Sequence, residues 1–189
     1  MHSEQTIIEG CLRNEKYFQE LLYSTYASKM FGICLRYAPD REIAHDLLQE
    51  GFIKVFQTLH QFKGNSALGS WMYRIFINTS INYVKRKLKY PFEVIHNENI
   101  DLSDEKQIDE DEKNLWLDHI TPKEALEMVQ KLPEKYRLII NLYAIEKMKH
   151  NEIADLLNIT EGTSRSQLAR ARKILSEELN AKIKTKIGE

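Results

Sequence analysis

Residues 150–172 constrain the fold most strongly, because they have the pattern of two short helices joined by a tight turn. Apolar side chains at helical spacing mark an inner face on each helix: Ile153, Leu156 and Leu157 on the first, then Leu168, Ala171 and Leu175 on the second. Ala154 is small enough for the helices to cross closely, and Thr160 is a natural N-cap for the second helix. We predict a helix-turn-helix whose second helix exposes Arg165, Ser166, Gln167, Arg170 and Arg172.

A helix with this outer face suits the major groove of DNA. Arginine pairs with guanine edges and phosphates there, while the first helix lies across the backbone. Two helices with a short turn also occur in proteins that never touch DNA, and arginines on a surface helix are commonly only solvated. The rest of the chain has to separate these two interpretations.

The charge of the chain is unevenly distributed along its length. The 189 residues include 27 basic and 28 acidic side chains, a net charge of -1. Residues 1–90 hold 12 basic and 8 acidic side chains, residues 91–120 hold 2 and 10, and residues 121–189 hold 13 and 10. Two mildly basic blocks therefore flank an acidic segment.

Cysteine usage and the N-terminus favour a reducing compartment. Cys11 and Cys34 are the only cysteines, with no C-x-x-C pair and no His/Cys cluster at zinc-ligand spacing, so we expect neither a disulfide framework nor a bound metal. The first residues lack a basic start followed by an apolar stretch, and no stretch approaches the length of a membrane span. We expect an unprocessed, cytoplasmic protein with no membrane insertion and no cofactor.

The fold class is predicted to be all-α, as two small helical domains joined by a flexible acidic linker. Glycine and proline are sparse, at seven and four, and alternating β-type patterns are not evident. Thr121, Pro122 and Glu124 restart helix after the linker, with an N-cap, a proline at the first helical position and a capping-box carboxylate. The predicted domains are 1–90, the linker 91–120, and 121–189. The predicted helices lie near residues 5–12, 14–37, 40–61, 68–89, 122–131, 134–146, 150–157 and 161–180.

The predicted helix at 40–61 has one apolar face and one polar face. Leu48, Phe52, Val55 and Leu59 share the apolar face, and the polar face carries Asp46, Gln49, Glu50, Lys54 and Gln57. Such a polar face is either simply solvated or a docking surface for a basic partner, and the pattern alone fits both.

The next predicted helix places an aromatic ring, amides and cations along one stripe. Its members follow at three- or four-residue steps: Trp71, Arg74, Asn78, Asn82 and Lys85. Aromatic faces stack on unpaired bases while cations hold phosphates, which is the chemistry of single-strand capture. A tryptophan early in an amphipathic helix is also commonly a core residue, and the basic run at 85–89 also complements a helix C-terminus. A separate packing stripe is predicted at Met72, Ile75, Thr79 and Tyr83.

No catalytic signature is present in the sequence. There is no phosphate-cradling glycine loop and no G-x-S-x-G, H-E-x-x-H or D-x-D-x-D-G pattern, and the six histidines are scattered singly. We predict no catalytic residues and no enzymatic activity.

Two sets of motifs occur in register along the chain. The first comprises DLLQEGF at 46–52, FKGNS at 62–66, SWMYRI at 70–75 and NT at 78–79. The second comprises LP at 132–133, Arg137, IA at 153–154, EGT at 161–163 and RAR at 170–172. Together they resemble the second and fourth conserved regions of the extracytoplasmic-function (ECF) sigma factors of the sigma-70 superfamily, and the resemblance covers nearly the whole chain.

The resemblance implies a subunit that joins core RNA polymerase and directs it to promoter DNA, with an anti-sigma factor as a further expected partner. It places Asp46, Gln49 and Glu50 against the coiled-coil clamp of the largest polymerase subunit. A loop capturing a flipped base of the minus-ten element would comprise Phe62, Lys63, Gly64, Asn65 and Ser66. Trp71, Arg74, Asn78 and Lys85 would contact the melted strand. The minus-thirty-five set comprises Thr163, Ser166, Ala169 and Arg170, with Arg165 and Arg172 on phosphates.

Some positions depart from the family pattern. Ser164 stands where a branched apolar residue is frequent, which predicts weaker packing or a tilted recognition helix. Ala169 offers only a methyl group for base contact, and Asn65 occupies a position that is commonly acidic.

Two other functions stay open at this stage. One is a helix-turn-helix regulator that binds duplex DNA without polymerase, and the other is a regulator that only sequesters a protein partner. The stripe that begins at Trp71, placed after the loop at 62–66, favours the sigma-factor hypothesis, because duplex binders have no use for a base-capture loop.

Overall fold

The computed structural model describes residues 2–88 and 120–187. The chain divides into two compact units, Met1–Val84 and Lys85–Glu189. Helices make up the regular structure of the described residues, and no strand occurs among them. The all-α prediction is therefore confirmed for this part of the chain. The predicted acidic linker lies outside it, apart from Ile120.

The first unit is built from four helices. They are α1 (Glu4–Leu12), α2 (Lys16–Tyr37), α3 (Arg41–Thr58) and α4 (Leu68–Lys87), with a 3-10 turn at Leu59–Gln61 after α3. Ser3 caps α1 by accepting from the Thr6 N–H, and Asp40 caps α3 by accepting from the Ile43 N–H at 2.9 Å. Each cap satisfies a backbone donor that has no partner inside the helix.

Burial of large apolar side chains holds the first unit together. The fully buried members are Tyr37, Phe76, Leu22, Met30, Leu47, Leu59, Leu68 and Met72. Phe52 links two further aromatic rings, because its centroid lies 4.6 Å from that of Tyr23 and 5.3 Å from that of Phe76. The Phe52 and Phe76 rings meet edge to face, an arrangement that the aromatic quadrupole favours.

The second unit also contains four described helices. They are α5 (Pro122–Lys131), α6 (Glu134–Ile140), α7 (His150–Leu157) and α8 (Glu161–Ile187), with a π-helical turn at Asn141–Ile145 after α6. The predicted capping box of α5 is present: Thr121 accepts from the Glu124 N–H, and the Glu124 carboxylate accepts from the Thr121 N–H. Asn158, at φ 55°, ends α7 in the left-handed conformation that asparagine tolerates.

The helix-turn-helix prediction is confirmed by α7, the turn at 158–160, and α8. Ile153, Leu157, Leu168 and Ala171 are buried as predicted. The Thr160 hydroxyl accepts from the Thr163 N–H at 3.0 Å, so Thr160 caps α8. The end of α8 packs separately on α5, where Met128, Leu179 and Ile183 form a cluster with Ile120 and Leu175. This contact accounts for the extension of α8 beyond the predicted end at residue 180.

The predicted packing stripe of α4 is partly wrong. Met72 and Thr79 are buried as predicted, whereas Ile75 and Tyr83 are only half-buried. Phe76 and Ser80 occupy the centre of the buried face and are fully buried. The inner face is therefore rotated by about one residue from the prediction, because Phe76 fills the space beside Gly51 on α3.

Candidate functional site

The polar face of α3 carries the three side chains predicted to bind polymerase. Asp46 and Gln49 are exposed and Glu50 is half-buried, and they lie three and four residues apart on one side of the helix. Ile53 follows one turn after Gln49 on the same side and is 56% exposed. An exposed isoleucine beside carboxylates gives this face an apolar centre, which the sequence prediction missed because it assigned only polar residues there.

Lys54 connects the polar face of α3 to α4. Its Nζ donates to Glu50 Oε1 at 2.6 Å and to Thr79 Oγ1 at 3.2 Å. The pair with Glu50 is the i, i+4 arrangement in which a carboxylate precedes a lysine by one turn. One oxygen of the Glu50 carboxylate is therefore paired with a lysine that also contacts α4, and is not left to solvent.

The loop 62–66 joins the 3-10 turn to α4 and stands open to solvent. Lys63, Gly64, Asn65 and Ser66 are exposed, and Gly64 has φ 71°, a conformation that side chains with a Cβ rarely adopt. Phe62 is half-buried and its ring centroid lies 5.4 Å from that of Trp71, at an interplanar angle of 54°. The two rings therefore form an aromatic step where the loop enters α4.

The exposed stripe of α4 agrees with the prediction. Trp71 is half-buried, and Arg74, Asn78, Asn82 and Lys85 are exposed on the same side of the helix. An aromatic ring, two amides and two cations therefore lie along one line of about four helical turns. Such a surface offers stacking at one end and cationic contacts along its length.

Glu4 from α1 holds the start of α4 in place. Its Oε1 accepts from the Leu68 N–H at 3.3 Å, and its Oε2 accepts from the Tyr26 hydroxyl at 3.1 Å. Burial and, next, this hydrogen bond raise the pKa of Tyr26. A carboxylate at a helix N-terminus is stabilised by the free N–H groups there. One acidic side chain thus ties together three helices beside the exposed loop.

The exposed face of α8 contains most of the predicted minus-thirty-five residues. Arg165 and Arg172 are exposed, while Ser166, Ala169 and Arg170 are half-exposed on the same face. The Arg165 guanidinium lies 3.2 Å from Glu161 Oε2, one turn earlier. The Ser166 hydroxyl donates to the Thr163 carbonyl at 3.1 Å. The face therefore combines cations with small side chains, which allows close approach to a polyanion.

Two side chains of α8 lie elsewhere than predicted. Gln167 was expected on the outer face but is only 5% exposed, because it shares the inner face with Ser164, Leu168 and Ala171 at helical spacing. Thr163 is 8% exposed and its hydroxyl bonds with that of Thr160 at 2.9 Å. This contact packs Thr163 into the turn, and the contact of Thr163 with DNA stays a prediction.

Ser164 also differs from its expected role. The side chain is fully buried, and its Oγ lies 2.8 Å from Nδ1 of His150 at the start of α7. The His150 ring stacks on Tyr143, with centroids 4.8 Å apart and planes at 25°. Sequence analysis could not find this group, because its members come from three separate segments.

Among residues 2–88 and 120–187, no group of His, Cys, Asp and Glu side chains is arranged to hold a metal ion. No helix in the described part of the chain is both long enough and apolar enough to cross a membrane.

Comparison with known proteins matches both halves of the chain to one family. The family model described as Sigma-70 region 2 matches residues 22–89, and the model described as Sigma-70, region 4 matches residues 123–175. The RNA polymerase sigma-H factor of Pseudomonas aeruginosa is 32% identical over 181 residues, covering 93% of this chain and 93% of that protein. The ECF RNA polymerase sigma-E factor of Haemophilus influenzae is 29% identical over 185 residues, covering 94% and 95%.

Comparison with solved structures finds neighbours of low overall similarity. The sigma factor RpoE of Bartonella quintana, in a co-crystal structure with the anti-sigma factor NepR, is 16% identical with a TM-score of 0.47, covering 85% of this chain and 96% of that chain.

The two matched regions and the full-length relatives define a sigma-70-type transcription initiation factor. The chain belongs to the ECF family of RNA polymerase sigma factors. It binds core RNA polymerase and directs promoter-specific transcription initiation. The hypothesis of a helix-turn-helix regulator acting without polymerase is not favoured.

Proposed function

We propose that three surfaces of the chain each make a different contact during transcription initiation. The polar face of α3 binds core polymerase, the loop 62–66 with the stripe on α4 holds the melted minus-ten strand, and the outer face of α8 binds the minus-thirty-five element. The observation that carries this proposal is the exposed stripe on α4 beside an exposed loop with Gly64 at φ 71°. That combination suits an unpaired strand better than a closed duplex.

The polymerase contact is assigned to Asp46, Gln49 and Glu50. Their position on one exposed face of α3 supports it, and Ile53 adds an apolar centre of the kind that anchors an interface. Carboxylates at the rim of the interface speed association with a basic partner. An isoleucine that becomes buried in the complex slows its dissociation.

The minus-ten contact is assigned to Phe62, Lys63, Gly64, Asn65, Ser66, Trp71, Arg74, Asn78 and Lys85. Extruding a base from the duplex costs a few kcal/mol, which stacking and hydrogen bonds to the flipped base offset. The aromatic step formed by Phe62 and Trp71 supplies a ring surface, and Arg74 and Lys85 supply cations for the backbone. Asn65 and Asn78 can both donate and accept hydrogen bonds at base edges.

The minus-thirty-five contact is assigned to Ser166, Ala169 and Arg170, with Arg165 and Arg172 on phosphates. Their common exposed face on the second helix of a helix-turn-helix supports this assignment. Arg170 is the residue able to pair with guanine in two hydrogen bonds, so it carries most of the base discrimination.

The cellular setting follows from membership of the family. We propose that the protein acts in the cytoplasm, is not an enzyme, needs no cofactor and is held inactive by an anti-sigma factor. The absence of catalytic motifs in the sequence is consistent with the second point.

In vitro transcription of fragmented genomic DNA, using core RNA polymerase with and without this protein, tests the proposal as a whole. We expect new start sites that share two spaced upstream elements. Scrambling either element in one of these promoters should then lower transcription. Transcripts insensitive to both elements, or footprints formed by the protein without polymerase, would contradict the proposed division of work.

A charge-reversal pair tests the α3 contact. Asp46→Lys is expected to weaken binding to core polymerase in a co-sedimentation or fluorescence assay, because it opposes the attraction of a basic partner. Glu20→Lys is the matched control, since Glu20 is exposed on α2 and pairs only with Lys16 across 3.6 Å in the described contacts. Equal weakening by both variants would indicate a general charge effect and remove the assignment.

A further inference from the structure

Four side chains form a continuous line through the helix-turn-helix. Ser164 on α8 bonds to His150 on α7, the His150 ring stacks on Tyr143 in the π-helical turn, and the Arg172 guanidinium lies 5.4 Å from the centre of the Tyr143 ring. The line therefore starts inside the first turn of α8 and returns to its exposed face two turns later.

The inner end of this line is a polar contact between the buried Ser164 and the half-buried His150. Ser164 is fully buried, so its hydroxyl has no access to water, and His150 Nδ1 lies 2.8 Å from it. Removing the His150 ring nitrogen leaves the buried Ser164 hydroxyl unsatisfied, whereas replacing both groups by apolar ones is close to neutral. A hydrogen bond is also directional, so the contact limits both the rotation and the sliding of α8 against α7.

The outer end of the line is a cation–π contact. Arg172 is exposed on α8, and its guanidinium faces the ring of Tyr143. A flexible arginine in solvent samples many rotamers, and a ring beneath it restricts them. Because the Tyr143 ring is also stacked on His150, that ring is itself held in place.

We propose that His150 and Tyr143 are positioning residues for promoter recognition. His150 fixes the start of recognition helix α8 through Ser164, and Tyr143 directs the Arg172 guanidinium towards the DNA phosphates. This inference rests on the proposed function of α8 as the minus-thirty-five binding element. Ser164 therefore adds a polar contact that holds α8 against α7, at a position where the sequence predicted weaker packing.

A double-mutant cycle on the full chain in complex with core polymerase tests the inner contact. His150→Phe keeps a ring to stack on Tyr143 but removes the bond to Ser164, and Ser164→Val removes the hydroxyl. We expect each single variant to lose roughly fivefold or more of transcription from a promoter with an intact minus-thirty-five element. The double variant should return to within about twofold of wild type, because a methyl group then meets an apolar ring.

The same variants on a promoter with a scrambled minus-thirty-five element separate positioning from stability. We expect no difference from wild type there at a temperature where circular dichroism shows every variant folded. Equal losses on both promoters would mean that the contact only stabilises the domain, and this would overturn the proposal.

A second pair of variants tests the outer contact independently. Tyr143→Leu is expected to weaken holoenzyme binding to the intact promoter by roughly two- to fivefold, the range for an exposed cation–π contact. It should have no further effect in an Arg172→Ala background, since Tyr143 acts through Arg172. Additive losses in that background would exclude the positioning role.

Failure of this inference is distinguishable from failure of the proposed function. Wild-type transcription that ignores the minus-thirty-five sequence would refute the function of α8. Wild-type transcription that depends on that sequence, with the single variants His150→Phe, Ser164→Val and Tyr143→Leu all equal to wild type, would refute only the positioning roles of His150 and Tyr143.

Discussion

A Cβ atom added at Gly51 on α3 would lie 2.6 Å from Cδ1 and 2.7 Å from Cζ of Phe76 on α4. The two helices approach so closely at this point that only a hydrogen atom fits between them. Phe76 is fully buried, so its ring has no room to move aside. The contact fixes the spacing between the helix assigned to polymerase binding and the helix assigned to the minus-ten strand.

Gly51→Ala should therefore destabilise the protein, although alanine is the better helix former. We expect a loss of about 1–3 kcal/mol in the free energy of unfolding, because overpacking displaces a buried ring. Gly32→Ala is the matched control: Gly32 is exposed on α2, and an added Cβ there meets no atom within 4 Å. That variant should gain about 0.5–1 kcal/mol from helix propensity. Urea denaturation measures both, and a Gly51→Ala variant as stable as Gly32→Ala would contradict the close contact.

Trp71 is predicted to act in strand opening rather than in polymerase binding. Trp71→Ala should leave core binding intact and lower permanganate reactivity of thymines in the minus-ten element. Base–aromatic stacking contributes about 1–3 kcal/mol per base, so we expect roughly 5- to 150-fold less open complex. Trp71→Phe, which keeps a ring opposite Phe62, should recover most of the loss. An unchanged permanganate pattern in Trp71→Ala would refute the assignment.

Glu4 is predicted to control the order of the loop before α4. Glu4→Ala removes the carboxylate that accepts from the Leu68 N–H and the Tyr26 hydroxyl. We expect a stability loss of about 1 kcal/mol, typical of a lost helix cap, and faster amide hydrogen exchange at Leu68. Glu9→Ala is the control on the same helix, because Glu9 bonds only to Gln5 among the described side-chain contacts. Similar exchange rates at Leu68 in the two variants would argue against a capping role.

The helices could be predicted from the sequence because their signals are local. The capping box at Thr121 and Glu124 lies within four residues. The break at Pro39 and Asp40 contains the N-cap itself, because Asp40 accepts from the Ile43 N–H. The exposed positions of Asp46, Gln49, Arg74 and Asn78 follow from the opposite apolar faces of the same helices.

The remaining features depend on contacts between distant residues. Glu4 caps a helix that begins 64 residues later in the chain, and no local pattern encodes that pair. Gln167 was predicted outside because it is polar, yet the geometry of α8 places it on the inner face between Ser164 and Ala171. Helical periodicity predicts which face of a helix a residue lies on. It does not predict a polar contact within the inner face, such as that of Ser164 with His150.

Cys34 is predicted to make the protein sensitive to alkaline pH. Burial raises the pKa of Cys34 from 9.0 to about 12. Because the folded state disfavours the thiolate, stability is fully present below pH 9 and is lost as the pH rises towards 12. Between about pH 8 and about pH 10.5 the wild type should lose roughly 2 kcal/mol more than Cys34→Ala. Denaturation midpoints of both proteins across this range measure the difference, and parallel curves would exclude the thiol as its source.

Arg170 and Arg165 are predicted to affect promoter binding in different ways. Arg170→Ala should cost about 1–3 kcal/mol on the intact minus-thirty-five element and nothing further once that element is scrambled, because a base contact is lost only where the base is present. Arg165→Ala should weaken binding about equally on both sequences and reduce the salt slope by about 1, as expected for a phosphate contact. The Arg165 guanidinium already pairs with the Glu161 carboxylate at 3.2 Å, so a DNA phosphate must compete with that carboxylate. The loss of binding caused by Arg165→Ala should therefore be smaller than that caused by Arg170→Ala. Filter binding of holoenzyme at several salt concentrations distinguishes the variants. A uniform loss for Arg170→Ala would move that residue from base recognition to the phosphate backbone.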